Sequence, residues 1–242
     1  MKAIILSAGH GSRLLPLTEN CPKCLLPVGN TTILGHQLDT LEAGGITETI
    51  VVAGFMVGLV EAEIARRNGP MRVTPFFNPF FHVADNLASC WMVREHMNED
   101  FLLINGDTLF EAALLHDVLS SPAQPIQVTI DHKRSYDSDD MKVSLDGRRL
   151  LAIGKSLPLS EVDAESIGFL RFMGQGPEMF RTKLEQMMRT QEGVSAWFLK
   201  AIDAIADTTG QVGTVSVDGR HWIEVDTVED FHSIVEHFPE GY

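Results

Sequence analysis

Runs of apolar residues of strand length alternate along this chain with segments whose apolar side chains recur at helical spacing, and this alternation constrains the fold more than any other feature. Strands joined through helices run parallel, because each crossover returns the chain to the same end of the sheet. Residues 2–6 form the first run, broken by the loop that starts at Ser7. Leu34, Leu38 and Leu41 then keep helical spacing between Thr31-Thr32, which supply a cap, and Gly44-Gly45, which supply a stop. Strands are expected at 49–53, 71–77 and 101–105 and helices at 57–67 and 84–97, so the first half reads as a repeated β-α unit. The second half is less regular. Strands at 126–131, 141–145, 150–153 and 167–172 are separated by turns such as Asp146-Gly147, and helices come after them at 178–189 and 196–206. Residues 212–217 and 222–225 read as a pair of strands around Asp218-Gly219, and 228–236 closes as a helix. The expectation is one α/β domain, a twisted, mostly parallel sheet flanked by helices.

Charge narrows what such a domain can meet. With 33 acidic against 19 basic side chains the formal charge is −14, a field that repels polyanions, so neither nucleic acid nor an anionic membrane is an expected partner. A small phosphorylated molecule held by a few placed cations remains compatible. The apolar run at the start ends too soon for a signal sequence, and no segment has the length of a membrane-spanning helix. Three cysteines, Cys21, Cys24 and Cys90, suit a reducing compartment. The expected location is the cytoplasm.

The loop after the first strand, Leu6-Ser-Ala-Gly-His-Gly-Ser-Arg13, carries Gly9 and Gly11, which let backbone N–H groups approach a phosphate. It fits neither the dinucleotide fingerprint, which wants glycine at position 14, nor a P-loop, which needs Gly-Lys-Ser/Thr. An ordinary strand-to-helix turn would carry the same glycines. The cations downstream separate a phosphate loop from such a turn: Ser12-Arg13, then Pro22-Lys23-Cys24-Leu25, places an arginine and a lysine within reach of the loop.

In that loop and its sequel the chain resembles the nucleotidyltransferases that join a nucleoside triphosphate to a phosphorylated small molecule, whose signature is Gly-x-Gly-Ser/Thr-Arg and then Pro-Lys-x-Leu. Cys24 stands where that family commonly has proline or alanine. The resemblance implies the Rossmann-like nucleotide-diphospho-sugar transferase fold, with residues 1–125 as a nucleotide-binding half and 126–242 as an acceptor-binding half of a single domain. It also implies that Asn105-Gly106-Asp107 carries a metal-binding aspartate at a strand end, and that Asp226, with Glu224 two along, completes an Mg²⁺ site. Asp230 and Glu229 read as ordinary acidic charge at a helix N-terminus. Short stretches are similar to the cytidylyltransferases acting on phosphocholine and inositol phosphate. These are Ala84-Asp85-Asn86-Leu87-Ala88-Ser89-Cys90-Trp91 for the first, and for the second the run from Asp140-Met-Lys-Val143 through Asp146-Gly147 to Ile153-Gly154-Lys155, then Ser166-Ile-Gly168-Phe169 and Val217-Asp-Gly219.

The implied reaction moves CMP from CTP to a small phosphorylated alcohol or amine, of the phosphocholine, aminoethylphosphonate or polyol phosphate type. An ionised phosphate oxygen is already a nucleophile, so positioning and charge neutralisation carry the catalysis. Arg13 with Gly9, Gly11 and Ser12 would hold the β- and γ-phosphates, and Lys23 the reacting phosphoryl group. Lys155 would bring in the acceptor phosphate, and the backbone of Leu6, Ala8 and Gly9, with Asn86 and Ser89, would frame base and ribose. Lys142 lies in an alternating strand and reads as solvated. A cationic acceptor calls for aromatic faces and carboxylates, for which Trp222, Trp197, Tyr136, Asp139, Asp140, Glu165 and Glu224 are candidates; a polyol would use the same carboxylates. Self-association, if any, is expected to be a homodimer. A sugar-1-phosphate nucleotidyltransferase using UTP, dTTP or GTP is the alternative enzyme, and a catalytically inactive nucleotide or sugar sensor of the same fold is the non-enzymatic one.

Overall fold

The computed structural model describes residues 1–237. In chain order its elements are β1 (Lys2–Ser7), β2 (Pro27–Val28), β3 (Thr31–Thr32), α1 (Ile33–Ala43), β4 (Glu48–Ala53), α2 (Val57–Ala65), β5 (Arg72–Phe77), α3 (Asn86–Met92), β6 (Phe101–Asn105), β7 (Thr108–Phe110) and α4 (Ala112–Ser120). They continue as β8 (Ile126–Asp131), β9 (Lys142–Asp146), β10 (Arg149–Gly154), β11 (Ala164–Phe172), α5 (Gly176–Met187), α6 (Gln191–Val194), α7 (Leu199–Thr209), β12 (Val212–Ser216), β13 (Trp222–Glu224) and α8 (Val228–His237). The chain folds as two compact units, the first from residues 1–82, 104–116 and 220 onward, the second from 83–103 and 117–219.

In the first unit β4 lies between β1 and β5, all parallel, in the register Lys2↔Glu48 and Glu48↔Arg72. The β-branched run of β4 is buried almost throughout, as a central parallel strand requires. Thr32 caps α1 by accepting from the Gly35 N–H at 3.0 Å, and Leu34, Leu38 and Leu41 are fully buried. A second, smaller ladder pairs β13 antiparallel to β7, Glu224 opposite Thr108. Leu14, Leu26, Val28, Ile33, Leu109, Val225 and Ile234 pack in one apolar cluster, so the Arg13 and Lys23 loops, the β7–β13 ladder and α8 share a core.

In the second unit β8 and β12 are parallel, while β8–β11, β12–β10, β10–β9 and β9–β11 are antiparallel, closing a ring of pairings. Phe172 stacks on Phe101 at 4.4 Å and leans on Phe180 at 4.8 Å; burying each ring is worth about 2–3 kcal/mol. Arg171, almost fully buried beside them, donates to the carbonyls of Leu119, Ser121 and Pro122 and so ties down that connection.

Four local expectations change. The helix expected over 84–97 is the shorter α3 and then a single 3₁₀ turn at Arg94–His96. The Asp85 N–H is taken by the Val194 carbonyl, and at the other end the Trp91 carbonyl accepts from both the Val93 N–H and Arg94. The helix expected over 196–206 starts at Leu199, because the Phe198 N–H goes to Asn86 Oδ1. Residues 212–217 and 222–225 are both strands but not partners: β12 pairs with β8 and β10, and β13 with β7. Lys142 is buried, its ammonium donating to the Lys155 carbonyl at 2.9 Å.

Candidate active site

Three features of the first unit bring its charged residues together. The turn after β6 is built on Gly106, whose N–H donates to the Leu6 carbonyl at 2.9 Å. A Cβ at this position would lie 2.3 Å from Ser7 Oγ and 2.6 Å from the Leu6 oxygen, so only glycine permits the approach that sets Asp107 beyond the end of β1. The β7–β13 ladder is the second feature, because the Val225 N–H donates to the Asp107 carbonyl at 3.0 Å and brings Asp226 alongside. The third is the glycine loop. Gly11 has φ +68° and its carbonyl accepts from the Thr18 hydroxyl at 2.8 Å, which aims the adjoining turn, Ser12–Leu14, and places Arg13.

Lys23 is the centre of the cluster. Its ammonium donates to Asp107 Oδ2 at 2.7 Å and to Asp226 Oδ1 at 2.6 Å, and Arg13 Nη2 donates to Asp226 Oδ2 at 2.9 Å. Burial alone would push the Lys23 ammonium below its ordinary value, but Asp107 and Asp226 outweigh it and hold it above. Asp107, Glu224 and Asp226 each offer an oxygen within 4.8 Å of the others. Among the described residues no other group of three or more His, Cys, Asp or Glu side chains meets that spacing.

This donor set suits a hard divalent cation, which takes oxygen ligands. Asp107 Oδ1 is buried and accepts no hydrogen bond, a condition that costs about 1–3 kcal/mol for a buried polar atom. The pair Cys21 and Cys24 takes no part: both are free thiols, and burial pushes Cys24 up to about 12, where it is protonated and inert.

The first unit also carries Leu6, Ala8, Gly9 and Ser12, expected to bind nucleotide, and Trp222 and Glu224, expected at the acceptor. Gly9 and Ser12 are exposed, and nothing lies within 4 Å of a Cβ built on Gly9. The Leu6 and Ala8 carbonyls accept from Gly106 and Phe55 N–H groups. Trp222 and Glu224 share one face of β13, opposite Ile223, which packs on the core.

Asn86, Ser89, Asp140, Lys155 and Glu165 belong to the second unit. There the Asn86 carboxamide oxygen holds the Phe198 N–H, and Ser89 is buried. Lys155 donates to Asp139 at 3.0 Å and lies over the Trp197 ring, 4.9 Å from its centroid. Lys133, which no sequence motif singles out, bridges Glu165 Oε1 at 2.7 Å and Asp140 Oδ1 at 3.0 Å. Tyr136 donates to the Asp163 carbonyl.

Burial lifts the Glu165 carboxyl to about 7 against the opposing pull of Lys133. The folded chain therefore keeps a proton that the unfolded chain releases between pH 4.5 and about 7, and stability falls as pH rises through that window. Glu165→Gln is expected to flatten this dependence and to raise Tm above pH 7, as thermal melts on either side of the window would report.

The first unit thus brings paired aspartates, a bridging lysine and a glycine loop together at the ends of its strands. Residues 2–137, more than half the chain, match the nucleotidyl transferase family, and the chain belongs to it. It is 22% identical to the CTP:phosphoglutamine cytidylyltransferase of Campylobacter jejuni, over 98% of this chain and 100% of that one. It is 33% identical over 122 residues to the CMP-5'-(3-aminopropyl)phosphonate synthase of Streptomyces rubellomurinus, a match that covers 50% of this chain and only 19% of that protein. In fold it is similar to the inositol-1-phosphate CTP transferase of T. maritima, with a TM-score of 0.84 at 18% identity, over 99% of this chain and 95% of that one. No helix among the described residues is long and apolar enough to cross a membrane.

Proposed function

We propose that this chain is an Mg²⁺-dependent cytidylyltransferase that moves CMP from CTP to a small phosphorylated or phosphonylated alcohol or amine and releases pyrophosphate. The observation that carries the reading is the Lys23 bridge between Asp107 and Asp226, with Arg13 on the second aspartate. An acceptor oxygen forms the new bond to the α-phosphorus as the bond to the β-phosphate oxygen breaks. The acceptor oxygen is ionised at neutral pH, so no side chain need take its proton.

Lys23 neutralises charge at the reacting phosphoryl group, and Arg13 with the backbone at Gly9 and Gly11 orients the leaving pyrophosphate. Asp107, Asp226 and Glu224 would hold Mg²⁺, which when bound offsets the charge of the triphosphate. Lys155, which pairs with Asp139, is the candidate to take the acceptor phosphate. The choice of CTP is supported by two relatives whose names carry a cytidine nucleotide and whose acceptors differ.

Pyrophosphate release with Mg²⁺ tests the reading, measured over the four ribonucleoside triphosphates and dTTP against phosphocholine, aminoethylphosphonate, inositol phosphate, glycerol phosphate and several sugar 1-phosphates. Release is expected with CTP and a non-sugar acceptor. Release only with a sugar 1-phosphate would overturn the acceptor class, and binding without release under any pairing would point to a sensor.

A further inference from the structure

Asp107 and Asp226 are held through their backbones as well as through Lys23. Gln37 on α1 is fully buried, and its Nε2 donates to the carbonyls of Asn105 and Thr108, both at 2.8 Å. One amide thus clamps the chain on either side of Gly106-Asp107. Its orientation is set by those partners, since a flipped amide would turn its oxygen against two carbonyls. Gln37 Oε1 accepts no hydrogen bond, which is rare for a buried amide. An apolar side chain of similar length would fill the same space but leave both carbonyls without this donor, so the two hydrogen bonds, and not packing, call for a glutamine here.

Asp226 is held from the other side by α8. Asp230 Oδ2 accepts from the Thr227 N–H at 2.8 Å and the Thr227 hydroxyl at 2.9 Å, while Thr227 Oγ1 accepts from the Asp230 N–H at 3.1 Å. That reciprocal pattern is a capping box. The same oxygen of Asp230 also accepts from the Asp226 N–H at 3.0 Å, a bond the helix does not need for its cap.

We infer that Gln37 and Asp230 are the positioning residues of the site, each locking the backbone of one aspartate so that the two carboxylates converge on a shared cation despite their mutual repulsion. Neither touches the reacting groups; both act through the residues that do. The inference rests on the proposed reading of Asp107, Glu224 and Asp226 as metal ligands. It assigns Asp230 more than helix-terminal charge, and it finds in Gln37 a role that helical spacing alone does not reveal.

The test is Mn²⁺ binding to the full chain without nucleotide, read from the free-ion EPR signal, with Tm measured alongside. Gln37→Met and Asp230→Ala are each expected to weaken Mn²⁺ binding by roughly 10- to 100-fold, the usual cost of removing a residue that supports a metal ligand. Asp230→Asn keeps an acceptor oxygen and recovers most of the affinity. Gln37→Met lowers Tm by roughly 2–8 °C, because two carbonyls lose their donor, while raising Mg²⁺ restores most of its lost kcat, which loss of fold would not allow. Unchanged Mn²⁺ affinity in both Gln37→Met and Asp230→Ala overturns the inference. Wild-type chain that takes no Mn²⁺ removes the metal-site reading beneath it, and the inference with it.

Discussion

Lys23→Met lowers kcat by about 10²–10³-fold, the range expected when a preorganised donor is removed from developing phosphoryl charge. The ammonium contacts both aspartates within 2.7 Å, so a single cation serves two carboxylates. Without it, Asp107 and Asp226 face each other with Arg13 paired to only the second. The pair is partly exposed, so the cost to folding is held by screening to about 1–2 kcal/mol. The defect is therefore much larger in turnover than in stability, and single-turnover kinetics with a urea melt separate the two. Its pH dependence also has a sign. Lys23 titrates above its ordinary 10.5, so the bridge contributes fully below that value and is lost only as pH rises through the folded pKa. The variant and wild type should consequently differ by the same factor from about pH 6.5 to about pH 8.5. A Lys23→Met chain that turns over at the wild-type rate would remove the catalytic assignment.

Gly106→Ala carries the second large effect, and its origin is steric. The added methyl group would sit 2.3 Å from Ser7 Oγ, 2.6 Å from the Leu6 oxygen and 2.8 Å from Ser7 Cα. Two of those three atoms are backbone, so relief requires the end of β1 or the turn after β6 to move. Overpacking of this kind costs about 1–3 kcal/mol, and the displaced turn is the one that carries Asp107. The expectation is a lower urea midpoint with unchanged m-value, together with loss of turnover.

Gly9→Ala is the contrasting substitution. Its Cβ meets nothing within 4 Å, so stability should stay within about 0.5 kcal/mol of wild type, while the KM for nucleotide rises because the methyl group occupies the space a phosphate would enter. Equal stability losses in the two glycine variants would argue against this division of roles.

Much of this protein is written in local patterns. The run of β4, the spacing of Leu34, Leu38 and Leu41, and the stop at Gly44-Gly45 each lie within a few residues, and backbone hydrogen bonding and apolar periodicity act over that range. The order Gly9, Gly11, Arg13, Pro22, Lys23 is likewise linear, which is why the family was legible from the loop and its sequel. Asp107 and Asp226 are singled out by the resemblance to that family, which has an aspartate at the end of each of these strand-like runs.

What tertiary structure alone decided is the identity of partners. β7 is three residues long, too short to show a period, yet its pairing with β13 is what sets Asp226 beside Asp107. The 212–217 and 222–225 runs look like a hairpin because a turn lies between them, but each gains more by completing a ladder with a strand distant in sequence. Lys142 alternates as a surface residue would and is nevertheless buried, since the Lys155 carbonyl just past β10 takes its ammonium. Gln37 and Lys133 carry no motif, and Asp230 only that of a helix cap; their further roles come from carbonyls, amides and carboxylates that only the folded chain brings within 3 Å. Periodicity reports which way a side chain faces, whereas a hydrogen bond depends on which atom it meets, and that is settled by packing between segments far apart in sequence.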